Sequence, residues 1–134
     1  MRKLMFKFLP ADKMQNRLIL CLFVMLMISC GKPLPALEGI DQTQWKEDKN
    51  GCLNYRSRFV DVLDTQKEKL KGLDEMGIVK LLGRPDQNEL YKRNQKFYYY
   101  FLEAGIVCGI DNNVPKKLTV RFNAVGLAKE VIIE

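Results

Sequence analysis

The sequence contains no histidine. Histidine is the side chain that most often acts as a general base or activates a cysteine nucleophile, so its absence argues against most proton-transfer and thiol catalysis. The four cysteines are well separated and do not provide the cluster of four ligands that a structural zinc ion needs. We therefore predict no enzyme activity, no catalytic residue, no metal site and no cofactor.

The sequence also lacks an apolar run long enough to cross a bilayer. Residues 18–28 are apolar without interruption, but a spanning helix needs about 20 such residues. Basic residues precede this run, and Ser29 and Cys30 follow it. A basic head, a short apolar segment and a small residue at a cut site are typical of an export signal. A cysteine directly after that small residue makes the segment similar to a bacterial lipoprotein signal.

The resemblance to a lipoprotein signal implies that Cys30 carries lipid and becomes the mature N-terminus. The alternative is a short membrane anchor that is never cleaved. Met14 is an alternative start to Met1, because the signal is more compact when it begins there. We expect a signal peptide over residues 1–29, an extended lipidated tether rich in proline and glycine over 30–41, and one domain over 42–134.

The charge of the whole chain is misleading. Five of its 22 basic residues and one of its 16 acidic residues precede Cys30, so the remainder carries a net charge of only +2. The high isoelectric point therefore belongs largely to the signal, and we do not expect a nucleic-acid partner.

Cys52 and Cys108 are the two cysteines left once the signal and Cys30 are set aside. In an oxidising envelope they can pair, and a loop of this length would restrict the unfolded chain by roughly 4 kcal/mol. Two free thiols that never meet are the alternative.

The second half of the chain changes from helical to strand patterns. Apolar spacing predicts a helix over residues 52–70, and Asp74 as a cap with Gly83 and Pro85 as a stop predicts a second helix over 74–82. Strands are predicted at residues 89–92, 96–103, 118–122 and 127–133. We predict an α+β fold of two layers, with two N-terminal helices on one face of a three- to four-stranded antiparallel sheet.

Alternation along the strand at 96–103 places Tyr98 and Tyr100 on one face. If the opposite face contacts the helices, Tyr98, Tyr100 and Lys96 form a surface suited to a protein partner. The alternative is that these tyrosines only cover the second face of the sheet. Arg56 falls on the apolar side of the first helix and needs a partner there, for which Asp48 is the candidate.

Residues 70–85, LKGLDEMGIVKLLGRP, are similar to the leucine, capped helix and leucine-glycine-x-proline stop of the SmpA/OmlA (BamE-like) outer-membrane lipoproteins. The strand KFYYYF and the final hairpin LTVRFNAVGLAKEV lie where that family has its sheet. Trp45, Asp48, Gly51, Cys52 and Arg56 resemble the head of small lipoproteins of Bacteroidetes-type bacteria. The resemblance implies a non-catalytic module.

The function expected from these features is binding of an envelope protein by a module that lipid holds at the membrane. Gly31 after Cys30 is not the aspartate that retains lipoproteins in the inner membrane of enteric bacteria, and no acidic export tag follows. We therefore expect the periplasmic side of the outer membrane. A binder of soluble ligands or an enzyme inhibitor with the same two-layer fold is the alternative.

Overall fold

The computed structural model describes residues 12–26, 32–111 and 114–134. They belong to two compact units, the first ending at Pro33 and the second comprising Leu34–Glu134. In the first unit, helix α1 covers Asp12–Leu26. Among the described residues, no helix is both long enough and apolar enough to span a membrane. Cys30, the predicted lipidation site, lies outside the described residues.

The second unit contains three α-helices, α2 (Gln42–Glu47), α3 (Val60–Gln66) and α4 (Glu75–Leu82). The cap and stop predicted for α4 are confirmed, because Asp74 Oδ1 accepts from the backbone N–H of Gly77 at 2.6 Å and Gly83 ends the helix with φ of 83°. Asp41 caps α2 in the same way.

The continuous helix predicted over residues 52–70 is wrong. A 3₁₀ turn at Arg56–Phe59 leads into α3, and a second 3₁₀ turn at Lys67–Leu70 follows it. The apolar spacing was compatible with either winding, since 3₁₀ and α turns place side chains three and four residues apart on nearly the same face.

Four strands form one antiparallel sheet in the order β1 (Gln87–Tyr91), β2 (Gln95–Phe101), β3 (Lys117–Phe122) and β4 (Ala128–Ile133). Every pairing joins strands that are neighbours in sequence. The predicted α+β class is confirmed.

One cluster of buried apolar side chains includes residues of the helices and of the sheet. Helical and loop segments contribute large side chains that are almost completely buried, and alternate residues of the strands contribute the rest. The largest fully buried apolar side chains are Trp45, Leu63, Leu70, Leu73, Ile78, Leu82, Tyr100, Leu102, Leu118, Val120 and Phe122.

The register of β2 and β3 defines two ends of this domain. Lys96 pairs with Phe122 at one end, where residues 92–94 and 123–127 make the two hairpin turns; we call it the hairpin end. Phe101 pairs with Lys117 at the other, next to the Cys52–Cys108 disulfide; we call it the disulfide end. Helix α4 begins at the hairpin end, where Asp74 bridges to Leu127.

The prediction of a tether reaching residue 41 is too long. Leu37 and Ile40 are buried members of the core, and the backbone of Glu38 exchanges hydrogen bonds of 2.8 and 2.9 Å with the side-chain amide of Gln66. Gly39 lies in a turn with φ of 77°, and the buried apolar side chains of this segment dock it on the domain. The folded unit therefore begins at Leu34.

Candidate functional site

A buried ion pair organises the disulfide end. Arg56 and Asp86 are 1% and 2% exposed, and Arg56 Nη1 lies 2.5 Å from Asp86 Oδ2. Arg56 also donates to the carbonyl oxygens of Trp45 at 3.0 Å and Phe101 at 3.1 Å. Two charges this deeply buried are tolerated only because nearly every polar atom has a partner.

Aromatic rings complete the environment of Arg56. Its Cζ lies 5.0 Å from the centre of the Trp45 ring and 5.9 Å from that of Tyr100. The prediction that Asp48 pairs with the side chain of Arg56 is wrong, because the guanidinium pairs with Asp86. The Asp48 carboxylate accepts instead from the backbone N–H groups of Arg56 at 2.8 Å and Leu53 at 2.7 Å. Asp48 therefore shapes the turn, and Asp86 neutralises the charge.

Asp86 was missed by the sequence reasoning. Its carboxylate also accepts from the backbone N–H groups of Asn50 at 3.0 Å and Phe101 at 2.8 Å, so it ties three separate segments together. Asp86 and Arg56 are 30 residues apart, and no spacing rule links such distant positions. The motif of Trp45, Asp48, Gly51 and Arg56 identifies only one side of the network.

The predicted disulfide between Cys52 and Cys108 is confirmed, with the two Cα atoms 5.4 Å apart. It is adjacent to Gly51, which has φ of 68°, and a Cβ there would lie 2.9 Å from the carbonyl carbon of Glu103. Only glycine fits both the backbone angle and this close approach. The disulfide and Gly51 together hold the start of the β2–β3 loop against the 50–52 turn.

This pinned loop carries apolar side chains outward. Ile106 and Val107 are 72% and 69% exposed. A cleft of about 220 Å³ opens beside them, lined by Asn50, Gln87, Phe101, Gly105, Ile106, Val107 and Pro115, with no charged side chain. Exposed apolar residues in the loop and the adjacent turn are Leu53, Ile106, Val107, Ile110 and Val114. Residues 112 and 113 lie outside the described residues.

The predicted partner surface of Tyr98, Tyr100 and Lys96 is not exposed as expected. Alternation along β2 is as predicted, but the tyrosines face inward, with exposures of 8% and 0%. Their polar ends are satisfied inside, since Tyr100 donates to the carbonyl of Gly83 at 2.9 Å and Tyr98 donates to Glu75 at 2.9 Å. The prediction of exposed tyrosines is therefore wrong. Lys96 is half-buried and pairs with Glu75 at 2.7 Å.

These contacts set the ionisation of the buried groups. The hydrogen bond from Lys96 lowers the pKa of Glu75 below its ordinary value. Burial, together with the hydrogen bond to Glu75, raises the pKa of Tyr98 to about 12. Burial raises the pKa of Tyr100 further still. The tyrosines are therefore neutral structural members of the core at physiological pH.

No protein-family model matches this chain, and no curated protein and no solved structure shows significant similarity to it. Among the described residues, no group of three or more cysteine, aspartate or glutamate side chains is arranged to hold a metal ion. The candidate site is the exposed apolar loop at the disulfide end, with its adjoining cleft.

Proposed function

We propose that this protein is a lipid-anchored module on the periplasmic side of the outer membrane, related to the SmpA/OmlA family, and that its disulfide end binds an envelope protein. The observation that carries the proposal is the set of apolar side chains exposed on a loop that a disulfide holds in place.

Ile106 and Val107 of this loop are apolar but do not belong to the core. Ile106 and Val107 leave most of their surface in water, which is unfavourable unless a partner covers them. Binding by a mobile loop costs the entropy of ordering it. A loop that is already held by the Cys52–Cys108 disulfide avoids much of that cost.

The cleft indicates which kind of partner fits. Its volume of about 220 Å³ is below the range of roughly 300–1,000 Å³ that is common for small-molecule sites. An apolar lining without charged side chains suits one large apolar side chain of a partner protein. The small volume and the apolar lining of the cleft therefore favour a protein ligand over a cofactor or a metabolite.

The membrane part of the proposal rests on the lipoprotein-like signal that ends at Cys30. Disulfides persist in oxidising compartments such as the periplasm, so the Cys52–Cys108 bond supports export. Two or more acyl chains give durable anchoring, whereas one gives only marginal binding. Anchoring would raise the effective concentration of the loop near partners in the membrane.

The test is site-specific photocrosslinking in cells that express the full chain. A photoreactive amino acid at Val107 or Val114 should give one discrete, stoichiometric adduct with an envelope protein. Val107→Asp should abolish that adduct from position 114 without changing the melting temperature. Thr65→Asp is the control, because it adds the same charge at an exposed position on α3, outside both the loop and the hairpin end. Equal loss with both variants, or no discrete adduct, contradicts the proposal.

The same experiment separates the alternative function. An inhibitor or a binder of soluble ligands would capture a soluble enzyme from culture medium and would do so equally well without lipid on Cys30. A partner captured only by the lipidated form supports the anchored module.

A further inference from the structure

We propose that the hairpin end of the domain rests on the bilayer, with its exposed apolar and basic side chains among the lipid headgroups, so that the disulfide end points away from the membrane. This inference rests on the lipid anchor at Cys30 that the proposed function assumes.

Only a short length of chain separates the proposed anchor from the domain. The folded unit begins at Leu34, only four residues after Cys30. Whatever their conformation, four residues span at most about 14 Å. A domain of this size is roughly 30 Å across, so the surface around Leu34 must stay close to the headgroups. The residues after Leu34 cannot lengthen this connection, because Leu37 and Ile40 are held in the core.

Leu34, the first residue of the folded unit, lies at the hairpin end. A Cβ placed on Gly77 would be 3.5 Å from Leu34 Cδ2, so Leu34 packs beside the first turn of α4. That turn belongs to the hairpin end, because Glu75 binds Lys96 at 2.7 Å and Asp74 bridges to Leu127. The short segment that connects Cys30 to the domain is therefore attached at the hairpin end and not at the disulfide end.

The hairpin end exposes several apolar side chains. Val125 at the tip of the β3–β4 turn is 78% exposed, and Met76 in the first turn of α4 is 63% exposed. Apolar side chains on turns beside an anchor are suited to partial insertion at the boundary between headgroups and acyl chains. Those exposed here are Leu34, Met76, Tyr91, Val125 and Leu127.

The hairpin end also exposes basic side chains. Lys92 and Arg93 occupy the β1–β2 turn and are exposed, and neither forms an ion pair with any acidic side chain that the structure describes. Among the acidic side chains at this end, Glu75 pairs with Lys96 and Glu130 with Arg121. Asp74 accepts from the backbone of Gly77, and Glu89 accepts from the hydroxyl of Tyr99. A basic residue near an anionic membrane surface contributes about 1 kcal/mol to binding, so the occupant that fits this end is a surface of anionic lipid.

The consequence is a defined orientation. The seven residues of β2 separate the two ends by roughly 20 Å. With the hairpin end on the headgroups, the apolar loop at the disulfide end is presented to the periplasm, beyond the reach of the bilayer.

The test uses the lipidated protein in vesicles of neutral phosphatidylcholine, with or without a minor fraction of anionic phosphatidylserine. Val125, Met76 and Val114 are replaced, one at a time, by an environment-sensitive fluorescent amino acid, which introduces no thiol that could disturb the disulfide. A headgroup-proximal spin-labelled lipid should quench the probes at 125 and 76 several-fold more strongly than the probe at 114. Lys92→Glu with Arg93→Glu should reduce quenching at 125 on anionic vesicles and leave it unchanged on neutral ones.

Mass spectrometry of residue 30 in the same sample separates the two proposals. A lipidated Cys30 with equal quenching at all three positions, or with stronger quenching at 114, overturns the orientation and leaves the anchor intact. A bare Cys30 overturns both. Quenching confined to 125 and 76 on lipidated protein supports the orientation, whatever partner the disulfide end binds.

Discussion

At the scale of single residues, charge burial is the costliest feature of this domain. Arg56 and Asp86 are buried next to a disulfide and two aromatic rings. Removing one member of such a pair leaves the other charge without compensation, which is far more unfavourable than losing an exposed ion pair. The network links the turn after α2, the start of β1 and the end of β2, so its loss should affect the whole disulfide end.

We expect Asp86→Asn to lower the free energy of unfolding by about 3 kcal/mol, because the isosteric amide leaves the Arg56 charge unneutralised. Urea denaturation measures this. Asp64→Asn is the control: its exposed pair with Lys67 should contribute less than about 0.5 kcal/mol. Similar stabilities for the two variants would show that the buried pair does not stabilise the fold.

Gly51→Ala should destabilise the domain more than Gly109→Ala. Both glycines have positive φ, at 68° and 81°, but a Cβ on Gly51 would meet the backbone of Glu103 at 2.9 Å, whereas one on Gly109 would meet nothing within 4 Å. Gly109→Ala should therefore lower the free energy of unfolding only by the cost of a left-handed backbone at a non-glycine residue, about 1 kcal/mol. The difference between the unfolding free energies of the two variants measures the effect of the close approach between residue 51 and the backbone of Glu103. Equal free energies would contradict the prediction that this approach requires glycine.

At the scale of elements, α4 and β2 are joined by Glu75, which binds both Lys96 and Tyr98. The pKa of Glu75 is lowered in the folded state, chiefly by Lys96. A lowered folded-state pKa means that the stabilisation is present above the unfolded value and is lost as the pH falls through the folded value.

Glu75→Gln should therefore reduce stability at pH 7 and make little difference in acid. Because both side chains are about one-third exposed, solvent screening limits the loss to less than about 1 kcal/mol. Unfolding curves at neutral and acid pH test this, with Glu130→Gln as the control at the exposed pair with Arg121. A deficit that persists unchanged in acid would mean that the Glu75 charge is not its origin.

The elements also show what the sequence could and could not reveal. Local signals were sufficient for α4, since Asp74 and Gly83 act within a few residues of the helix ends. Alternation divided β2 into two faces, but it could not say which face is inside: Phe97 and Phe101 look more apolar than Tyr98 and Tyr100. Long-range partners determine which face is inside. The carbonyl of Gly83 accepts from the buried hydroxyl of Tyr100, and nothing in the sequence around Tyr100 indicates this contact.

At the scale of the whole molecule, the boundary at Leu34 connects stability with function. A free tether up to residue 41 would let the domain turn in any direction above a membrane. A domain that starts at Leu34 would be confined by the proposed anchor at Cys30. The same few residues, which include Leu37 and Ile40 of the core, would then determine how far the proposed partner site can move.

Truncation tests this boundary directly. A chain beginning at Leu34 should unfold with the same free energy as one beginning at Lys32. A chain beginning at Asp41 should lose about 3 kcal/mol or more, because it forfeits the burial of Leu37 and Ile40, each contributing roughly 1.5–3 kcal/mol, and the two hydrogen bonds between Glu38 and Gln66. Denaturant titration measures the difference. If the chain from Asp41 were as stable as the chain from Leu34, residues 34–40 would be a tether after all, and the membrane orientation would lose its main support.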